Sequence, residues 1–309
     1  MSDDNNLVFV QFPHPGTEYV MGKGKLGRCI EKGWNYDIGH HRKFLRTSGS
    51  YMNGNKETET ENLFFWGEWE PDSKAECCQL RPTRWVHTPI LNIDHNGQIL
   101  AKPQIIEKGV TKQRRNTDPF VFGDDGFLYS CCRQKKSLKK IGPGSIILFG
   151  SRMQGHFAID TVFVVGDFRD YTAELHHTKL KGFTPKYYTD IMGMDFGEVK
   201  GAFRCYKGAT PKNRINGMYS FSPCHLTGEN NVFERPIICS NDFKGLTLSR
   251  PLEDGLISDT VSRNFKMTSQ LTLDDLHKIW ERICELILKD GIVAGTKFNY
   301  ELCYPELAI

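Results

Sequence analysis

The spacing of apolar residues along the chain predicts mainly β-strands. Residues 7–12 alternate as a half-buried strand does, and residues 13–16 (Pro-His-Pro-Gly) end that strand because proline cannot donate to a sheet. Residues 141–151 and 156–166 form the pattern of a glycine turn, an apolar strand, a short polar loop and a longer strand. Further strand patterns lie between glycine, asparagine and proline turns, at residues 202–206, 218–222 and 232–239.

Turn sequences between apolar segments predict two β-hairpins. Residues 94–97 (Asp-His-Asn-Gly) separate the apolar residues 86–93 and 99–106, and Asn-Gly in this position is the strongest local hairpin signal. Residues 123–126 (Gly-Asp-Asp-Gly) form a second turn, which connects a short preceding strand to a returning strand at residues 127–131.

A polar segment begins shortly after His40 and His41. Residues 48–62 are almost entirely Gly, Asn, Thr, Ser and Glu, a composition that is typical of loops. We therefore expect an exposed loop here, the most protease-sensitive point of the chain, and a candidate subdomain edge.

Helical spacing is clearest near the end of the chain. Thr272 has the position of an N-cap, and Asp274 and Asp275 favour the first turn because carboxylates interact well with a helix N-terminus. The apolar residues that follow are Leu276, Ile279, Ile283, Leu286 and Ile287. Gly291 comes after the predicted end. These features predict an amphipathic helix that packs on a sheet.

Together the patterns predict an α+β, β-dominated fold. The chain has 309 residues, of which 39% are hydrophobic and 25% charged, values that exclude a disordered or fibrous protein. We expect a small barrel within residues 85–170, an N-terminal elaboration at residues 1–84, and a mixed β/α part at residues 171–309 packed on the core. One continuous domain is the alternative.

The sequence also bears on location and cofactors. No apolar run reaches the ~18 residues of a membrane-spanning helix, and residues 1–6 are acidic and polar where a signal peptide would be basic and then apolar. We therefore expect a cytoplasmic protein with no membrane partner. The ten cysteines contain no C-x-x-C pair, so reduced thiols are expected and a zinc site built from local ligands is not. No cofactor and no oligomeric state can be assigned.

Positive charge is concentrated in one segment. Residues 102–140, called the basic strip below, carry ten basic and four acidic side chains, whereas the whole chain has a formal net charge of +3. Such a strip can hold a phosphate-bearing partner, with Arg114, Arg115 and Asn116 as candidate ligand-binding residues. The alternative is an ordinary solvated, lysine-rich loop.

Two tryptophans and two glutamates lie close together in residues 63–71. In an extended chain Trp66, Glu68 and Glu70 share one face, while Trp69 lies on the other. Two neighbouring carboxylates against an apolar wall acquire different pKa values, which suits one to act as an acid and the other as a base. In the alternative interpretation, both tryptophans belong to the core, and the glutamates cap backbone groups or pair with arginines such as Arg81 or Arg84.

A cluster of polar side chains precedes this segment. His40, His41, Arg42 and Lys43 follow an aromatic stretch, and such side chains are costly to bury unless they are paired. They either line a site or lie outside the core. We take His41 as a candidate catalytic residue, and His40, Arg42 and Lys43 as candidate ligand-binding residues.

Two aspartates are further catalytic candidates. Asp118 lies between the densest arginines and a turn, so it is either a structural residue of that turn or a site carboxylate. Asp160 interrupts an apolar strand, where a carboxylate is expensive unless it is paired. In the alternative Asp160 faces outward, and the inward residues are Phe157, Ile159, Thr161 and Phe163.

The order of elements at residues 141–166 resembles the central hairpin of PUA-like domains. This superfamily includes the ASCH and EVE modules and is close to several nucleotide-modification-associated families. The resemblance covers about a tenth of the chain. It implies a small barrel that recognises RNA or modified DNA bases and holds a flipped base between aromatic side chains, with Trp66, Trp69 and Phe157 as natural lining.

The leading hypothesis is a protein that recognises a nucleotide, DNA or RNA in prokaryotic DNA modification or defence. The basic strip would hold phosphates and the aromatic residues a base. One alternative is an enzyme that cleaves or transfers a nucleotide or glycosidic group, with Glu68 and either Glu70 or Asp160 as the acid–base pair, supported by His40 or His41. Another is a protein-interaction subunit. Motifs of common hydrolases and NTPases do not occur in the sequence.

Overall fold

The strand patterns of the sequence form fourteen strands in the part of the chain that a computed structural model describes. The described residues are 6–13, 42–69, 73–77, 85–93, 96, 118–124, 126–130, 136–153, 156–193, 201–226, 235–252, 254–259 and 265–303. The strands are β1 (Val8–Pro13), β2 (Lys43–Asn53), β3 (Lys56–Gly67), β4 (Ser73–Cys77), β5 (Trp85–Asn92), β6 (Leu128–Tyr129), β7 (Ile146–Met153), β8 (His156–Thr172), β9 (Ala202–Gly208), β10 (Ser222–Leu226), β11 (Ile237–Ile238), β12 (Lys266–Ser269), β13 (Ile292–Phe298) and β14 (Glu301–Cys303). The α-helices are α1 (His176–Lys179), α2 (Lys186–Gly193) and α3 (Leu273–Ile287), and 3-10 turns cover Lys136–Lys139, Ala173–Leu175 and Ser240–Phe243.

The first sheet is buried on both faces along β1, β7 and the first part of β8. Its strand order is β12-β1-β7-β8-β9-β6, with β11 paired to β8. β1 lies between an antiparallel neighbour, β12, and a parallel neighbour, β7. Val8 and Val10 of β1 pack in one apolar core, whereas Phe9 packs in a second core on the other face. Burial on both faces explains why the apolar runs of β7 and β8 are nearly continuous.

Four strands of the second sheet close into a small barrel. β2 pairs with β3, β3 with β10, β10 with β13, and β13 with β2, all antiparallel. β5 extends this sheet, and β4 and β14 pair with β5. The β-dominated fold with a small barrel is thus confirmed, but the barrel strands lie outside residues 85–170, where we expected the barrel. Met52 pairs with Ala294, and contacts this distant in sequence leave no local pattern.

Residues 48–62 form most of a β-hairpin, so the predicted exposed loop is wrong. β2 and β3 pair along their lengths up to a tight turn at Gly54, whose φ of 59° suits glycine. A Cβ on Gly49 would overlap the carbonyl oxygen of Lys297 in β13. The small and polar residues of this segment therefore reflect close packing in a narrow barrel, together with a partly solvated strand face.

Helix α3 covers the face of the first sheet that carries Phe9. The Thr272 hydroxyl accepts a hydrogen bond from the Asp275 N–H (3.1 Å), and the Asp275 carboxylate accepts one from the Thr272 N–H (2.9 Å). This reciprocal pair is a capping box. The apolar stripe of α3 packs in the same core as Phe9. The predicted N-cap, first turn and packing of this helix are confirmed.

Asp275 makes the helix cap sensitive to acid. Burial by itself raises the pKa of this carboxyl, but hydrogen bonds from Ser249 and Thr272 outweigh burial and lower the pKa below its ordinary 3.8. The stabilisation that the ionised carboxylate provides is therefore complete above the unfolded pKa of ~4. It is lost progressively as the pH falls from there through the lower pKa of the folded state. We expect Asp275→Asn to lower the free energy of unfolding by ~1–2 kcal/mol at pH 7 and by less at pH 3, measured by urea unfolding. Equal losses at both pH values would contradict this expectation.

The two hairpins predicted from turn sequences are described to different extents. β5 occupies the first arm of the first hairpin, and the second arm, residues 99–106, lies outside the described residues. In the second hairpin Phe120 and Leu128 exchange backbone hydrogen bonds of 2.8 and 2.7 Å, which confirms the pairing. Within the described ranges, no helix combines the length and apolarity that crossing a membrane requires.

Candidate functional site

Four buried charged side chains meet between the two sheets. Arg42, just before β2, donates from Nε to Asp160 Oδ2 in β8 (2.5 Å) and forms an ion pair with Glu68 after β3 (Nη1–Oε1 2.9 Å). Arg235, before β11, lies 3.4 Å from Asp160 Oδ1 and also donates to the Ser151 hydroxyl. The four charged side chains are at most 2% exposed. Arg42, Glu68, Asp160 and Arg235 are called the buried ion network below.

The buried ion network joins the sheets through opposite charges. It contains two arginines and two carboxylates and is formally neutral, which is the condition under which buried ions are tolerated. Glu68 pairs with an arginine, in agreement with the second interpretation of the sequence. That partner, Arg42, was expected to bind a ligand. Asp160 is placed between Arg42 and Arg235.

A β-bulge turns Asp160 towards the network. Phe149 pairs with Thr161 and Gly150 with Ile159, so Asp160 is the extra residue of β8. The bulge shifts the alternation of side chains, because Ile159 packs in the core beside α3 whereas the Thr161 hydroxyl lies 3.0 Å from a serine hydroxyl of β10. An outward-facing Asp160 is therefore wrong. The period of two on which that alternative rested is interrupted at this residue.

Trp66 and Trp69 lie on opposite faces of their extended segment, as the alternation predicts. Trp66 packs against Phe44 (ring centroids 5.2 Å apart), and the Arg235 guanidinium lies 5.3 Å from the Trp66 ring centroid. Trp69 packs in the core with Phe122 (4.6 Å). The two indoles are 2% and 1% exposed. Their placement agrees with the interpretation in which both belong to the core.

Lys43 is a buried residue of β2 beside a buried histidine. Its Nζ donates to the Trp69 carbonyl (2.5 Å). His87 of β5 places Nδ1 at 2.9 Å from the Ser73 hydroxyl. Burial, followed by the positive charge of Lys43, lowers the pKa of His87 to about 3, so this imidazole is neutral at pH 7. Lys43 thus belongs to the interior rather than to an exposed ligand-binding surface.

Asp118 is held by a different set of residues. Its Oδ1 accepts hydrogen bonds from the Ser130 N–H (3.2 Å) and the Tyr188 hydroxyl (3.4 Å). The Tyr171 hydroxyl donates to the Ser130 carbonyl (3.0 Å). Burial, followed by the negative charge of Asp118, raises the pKa of Tyr188, so the phenol stays protonated. These contacts agree with a structural role for Asp118, although its partners are distant in sequence rather than in its own turn.

Six further candidates lie outside the described residues, namely His40, His41, Glu70, Arg114, Arg115 and Asn116. Their roles stay predictions. Of the described candidates, the structure brings Arg42, Glu68 and Asp160 into direct contact.

A cationic surface lies on β8, β9 and the segments next to them. The Arg169 guanidinium lies 4.7 Å from the centroid of the Phe183 ring, and Lys207 Nζ lies 5.8 Å from the same centroid. Lys139 Nζ lies 4.8 Å from the Phe203 centroid. Among the side chains that the structure describes, the basic residues of these segments are Lys139, Lys140, Arg169, Lys179, Lys181, Lys186, Arg204 and Lys207, and the acidic ones outside the buried ion network are Asp167, Asp170 and Glu174. Together these residues are called the β8–β9 surface.

The described end of the basic strip is fixed to the β8–β9 surface. The Tyr206 hydroxyl of β9 donates to the Leu138 carbonyl (2.5 Å) and accepts from the Ile141 N–H (3.3 Å). These two bonds hold the 3-10 turn of the strip beside β9. Lys139 and Lys140 therefore add their charges to the same positively charged region.

Sequence reasoning missed several of these residues. Arg235 contacts Asp160 across 75 positions of the chain, and its own neighbourhood carries no motif. Arg169 lies in the alternating segment Asp-Phe-Arg-Asp at residues 167–170, and Lys207 lies near the end of a strand with a similar mixture of charged and aromatic residues. That mixture on two neighbouring strands was an available signal for a cationic surface.

No family model, curated protein or solved structure matches this chain. What it binds must therefore be inferred from its own contacts and charges.

Proposed function

We propose that this protein binds nucleic acid and that the β8–β9 surface holds its phosphates. The supporting observation is the accumulation of eight basic and three acidic side chains on the described part of this surface, in a chain whose formal net charge is +3. A region of one sign attracts a polyanion and supplies most of the affinity of sequence-independent nucleic-acid binding.

Two features of the sequence add to this proposal. The basic strip meets the β8–β9 surface at Lys139, and its Arg114, Arg115 and Asn116 would extend the phosphate-binding region. The PUA-like resemblance of residues 141–166 points to the same class of ligand. It also motivates the proposed context, DNA modification or defence in a prokaryote.

The enzyme alternative stays a prediction. It requires Glu68, with Glu70 or Asp160, to exchange protons with a substrate, but Glu68 and Asp160 are buried and both contact Arg42. Phosphate binding at the β8–β9 surface requires no opening of the buried ion network. The described contacts therefore favour a binding function.

Charge removal on the β8–β9 surface tests the proposal. We expect Lys140→Gln/Lys179→Gln/Lys181→Gln, all at exposed positions, to weaken binding to single-stranded RNA, single-stranded DNA or duplex DNA by about tenfold or more. The slope of log K against log salt should become shallower by about 2–3, because each lost phosphate contact changes it by ~0.7–0.9. Fluorescence anisotropy with labelled oligonucleotides over a salt series measures both quantities.

The matched control is Lys212→Gln/Lys244→Gln/Lys289→Gln, which removes three exposed lysines from other segments. This control variant changes the net charge by the same amount as the test variant, but it should leave the salt slope nearly unchanged. Equal losses in the two triple variants would argue against a localised surface. Failure of the wild-type protein to bind any of the three probes would overturn the proposed function.

A further inference from the structure

Arg204 on the β8–β9 surface is an arginine whose charge is already neutralised. Its guanidinium lies 3.7 Å from the centroid of the Phe168 ring. Its Nε and Nη2 donate to the two oxygens of Asp170 at 2.7 and 3.0 Å, a bidentate pair. This stacked and paired arginine has the environment of a structural residue.

Arg169 is stacked in the same way but is held by carbonyls. Its guanidinium lies 4.7 Å from the centroid of Phe183, and Nη1 donates to the carbonyl oxygens of Lys179 and Lys181 (3.3 and 3.4 Å). Among the described residues no carboxylate forms an ion pair with Arg169. Carbonyl oxygens fix the position of the guanidinium without cancelling its charge, and Arg169 is exposed.

Lys207 adds a second positive charge at the same ring. Its Nζ donates to the Phe183 carbonyl (3.5 Å). Asp167 is the register partner of Lys207 on β8, and its carboxylate accepts a hydrogen bond from the N–H of Phe168 (2.7 Å). Two cationic side chains therefore lie beside the Phe183 ring.

The Phe183 and Phe203 rings of this surface are covered, so they cannot act as stacking platforms. Phe183 and Phe203 are 5% and 7% exposed, and each has a basic side chain over its ring. Phe168 is half-buried, and the Arg204 guanidinium lies over its ring. Sequence-tolerant binding through bases requires rings whose faces are open to a base. The groups that can meet a ligand here are therefore the cations.

We propose that the β8–β9 surface binds the phosphodiester backbone of nucleic acid without contacting the bases, and that Arg169 and Lys207 together hold one phosphate. This inference rests on the proposed function and deepens it by naming the part of the nucleic acid that is bound. A planar guanidinium fixed by two carbonyls and a ring presents its remaining donors in a set geometry, and such a fork matches two oxygens of a phosphate. Affinity then depends on backbone length and salt, not on sequence.

An abasic oligonucleotide separates backbone binding from base binding. The probes are a thymidine oligonucleotide of about 20 units, longer than the ~4–16 nucleotides that one small β-domain covers, and a chain of equal length with deoxyribose phosphates and no bases. We expect their dissociation constants to agree within about threefold, because the phosphate contacts are the same. A loss of more than about tenfold for the abasic chain would overturn the inference and leave the proposed function standing. If the protein binds neither of these probes and does not bind RNA, both this inference and the proposed function are overturned.

Competition with ATP distinguishes a polymeric backbone from a free nucleotide. One nucleotide offers few of the contacts of a long backbone, so ATP at roughly 1 mM should displace little of the abasic probe. Displacement by micromolar ATP would assign the site to free nucleotides and overturn the inference.

The assignment of one phosphate to Arg169 and Lys207 is tested by substitution. We expect Arg169→Gln to weaken binding of the abasic probe about tenfold, the worth of one charge-assisted hydrogen-bonded contact, and to reduce the salt slope by about 0.7. Lys289→Gln, with the same change in charge at an exposed position after α3, should change neither. Arg169→Lys should keep the slope but recover only part of the affinity, since the planar fork is lost.

If Arg169→Gln lowers the melting temperature, Lys207→Gln is used in its place, and the same losses of affinity and salt slope are expected. Unchanged affinity and slope in the folded variants of Arg169 and Lys207 would overturn the assignment of the phosphate.

Discussion

Replacing Asp160 by asparagine is expected to lower the free energy of unfolding by ~3–5 kcal/mol. The substitution leaves two buried guanidiniums, those of Arg42 and Arg235, without the carboxylate that lies between them. Arg42 would keep Glu68, and Arg235 would keep the hydroxyl of Ser151. A buried charge that loses its partner retains the cost of desolvation, which is why the expected loss is large. Urea unfolding at pH 7, followed by tryptophan fluorescence, measures it.

The control changes a carboxylate in an ion pair that is exposed on both sides. Glu76 of β4 pairs with Arg46 (Oε2–Nη2 3.0 Å), and the two side chains are 46% and 35% exposed. Water screens such a pair, so Glu76→Gln should cost at most ~1 kcal/mol. Similar losses for Asp160→Asn and Glu76→Gln would contradict the role we assign to the buried ion network.

Trp69→Ala should be comparably destabilising, by ~3–5 kcal/mol, because it leaves a large cavity in the core. The indole is 1% exposed and lies 4.6 Å from the Phe122 ring and 5.9 Å from the Tyr300 ring, measured between centroids. Urea or thermal unfolding gives the change in stability, and anisotropy with RNA and DNA probes gives the change in affinity.

These two readouts discriminate between the interpretations of Trp69. A core residue predicts a large loss of stability, and the folded variant at low temperature should still bind nucleic acid. A base-lining residue predicts lost affinity with nearly normal stability, which would contradict the placement described here. Trp85→Ala, at the less buried start of β5, is the control and should cost less, ~1–2 kcal/mol.

The parts of the fold that the sequence predicts correctly are those with a local cause. Thr272 and Asp275 define the start of α3 because both partners of the capping box lie within four residues. β7 and β8 are predicted by apolar runs that a sheet buried on both faces requires. The shared face of Trp66 and Glu68 follows from strand geometry alone.

The parts that the sequence does not predict depend on distant contacts. The bulge at Asp160 is defined by the pairing of its neighbours, Ile159 with Gly150 and Thr161 with Phe149, and a period of two cannot anticipate one extra residue. Gly49 is required by the carbonyl of Lys297, about 250 positions away, so its segment resembles a loop until the barrel is known. Glu68 is a candidate site residue from the sequence alone, but the sequence does not indicate which arginine of the chain pairs with it.

Closure of the barrel also constrains how the protein is made. β2 needs β13 as a neighbour, since Met52 pairs with Ala294. On the ribosome the intervening ~240 residues take roughly 12–50 s to synthesise at ~5–20 residues per second. During that interval the edge of β2 has unpaired backbone groups and is open to pairing with other nascent chains. A chaperone that protects the β2–β3 hairpin until β13 emerges would therefore raise the yield of folded protein, and chains that stop before β13 would keep that edge open.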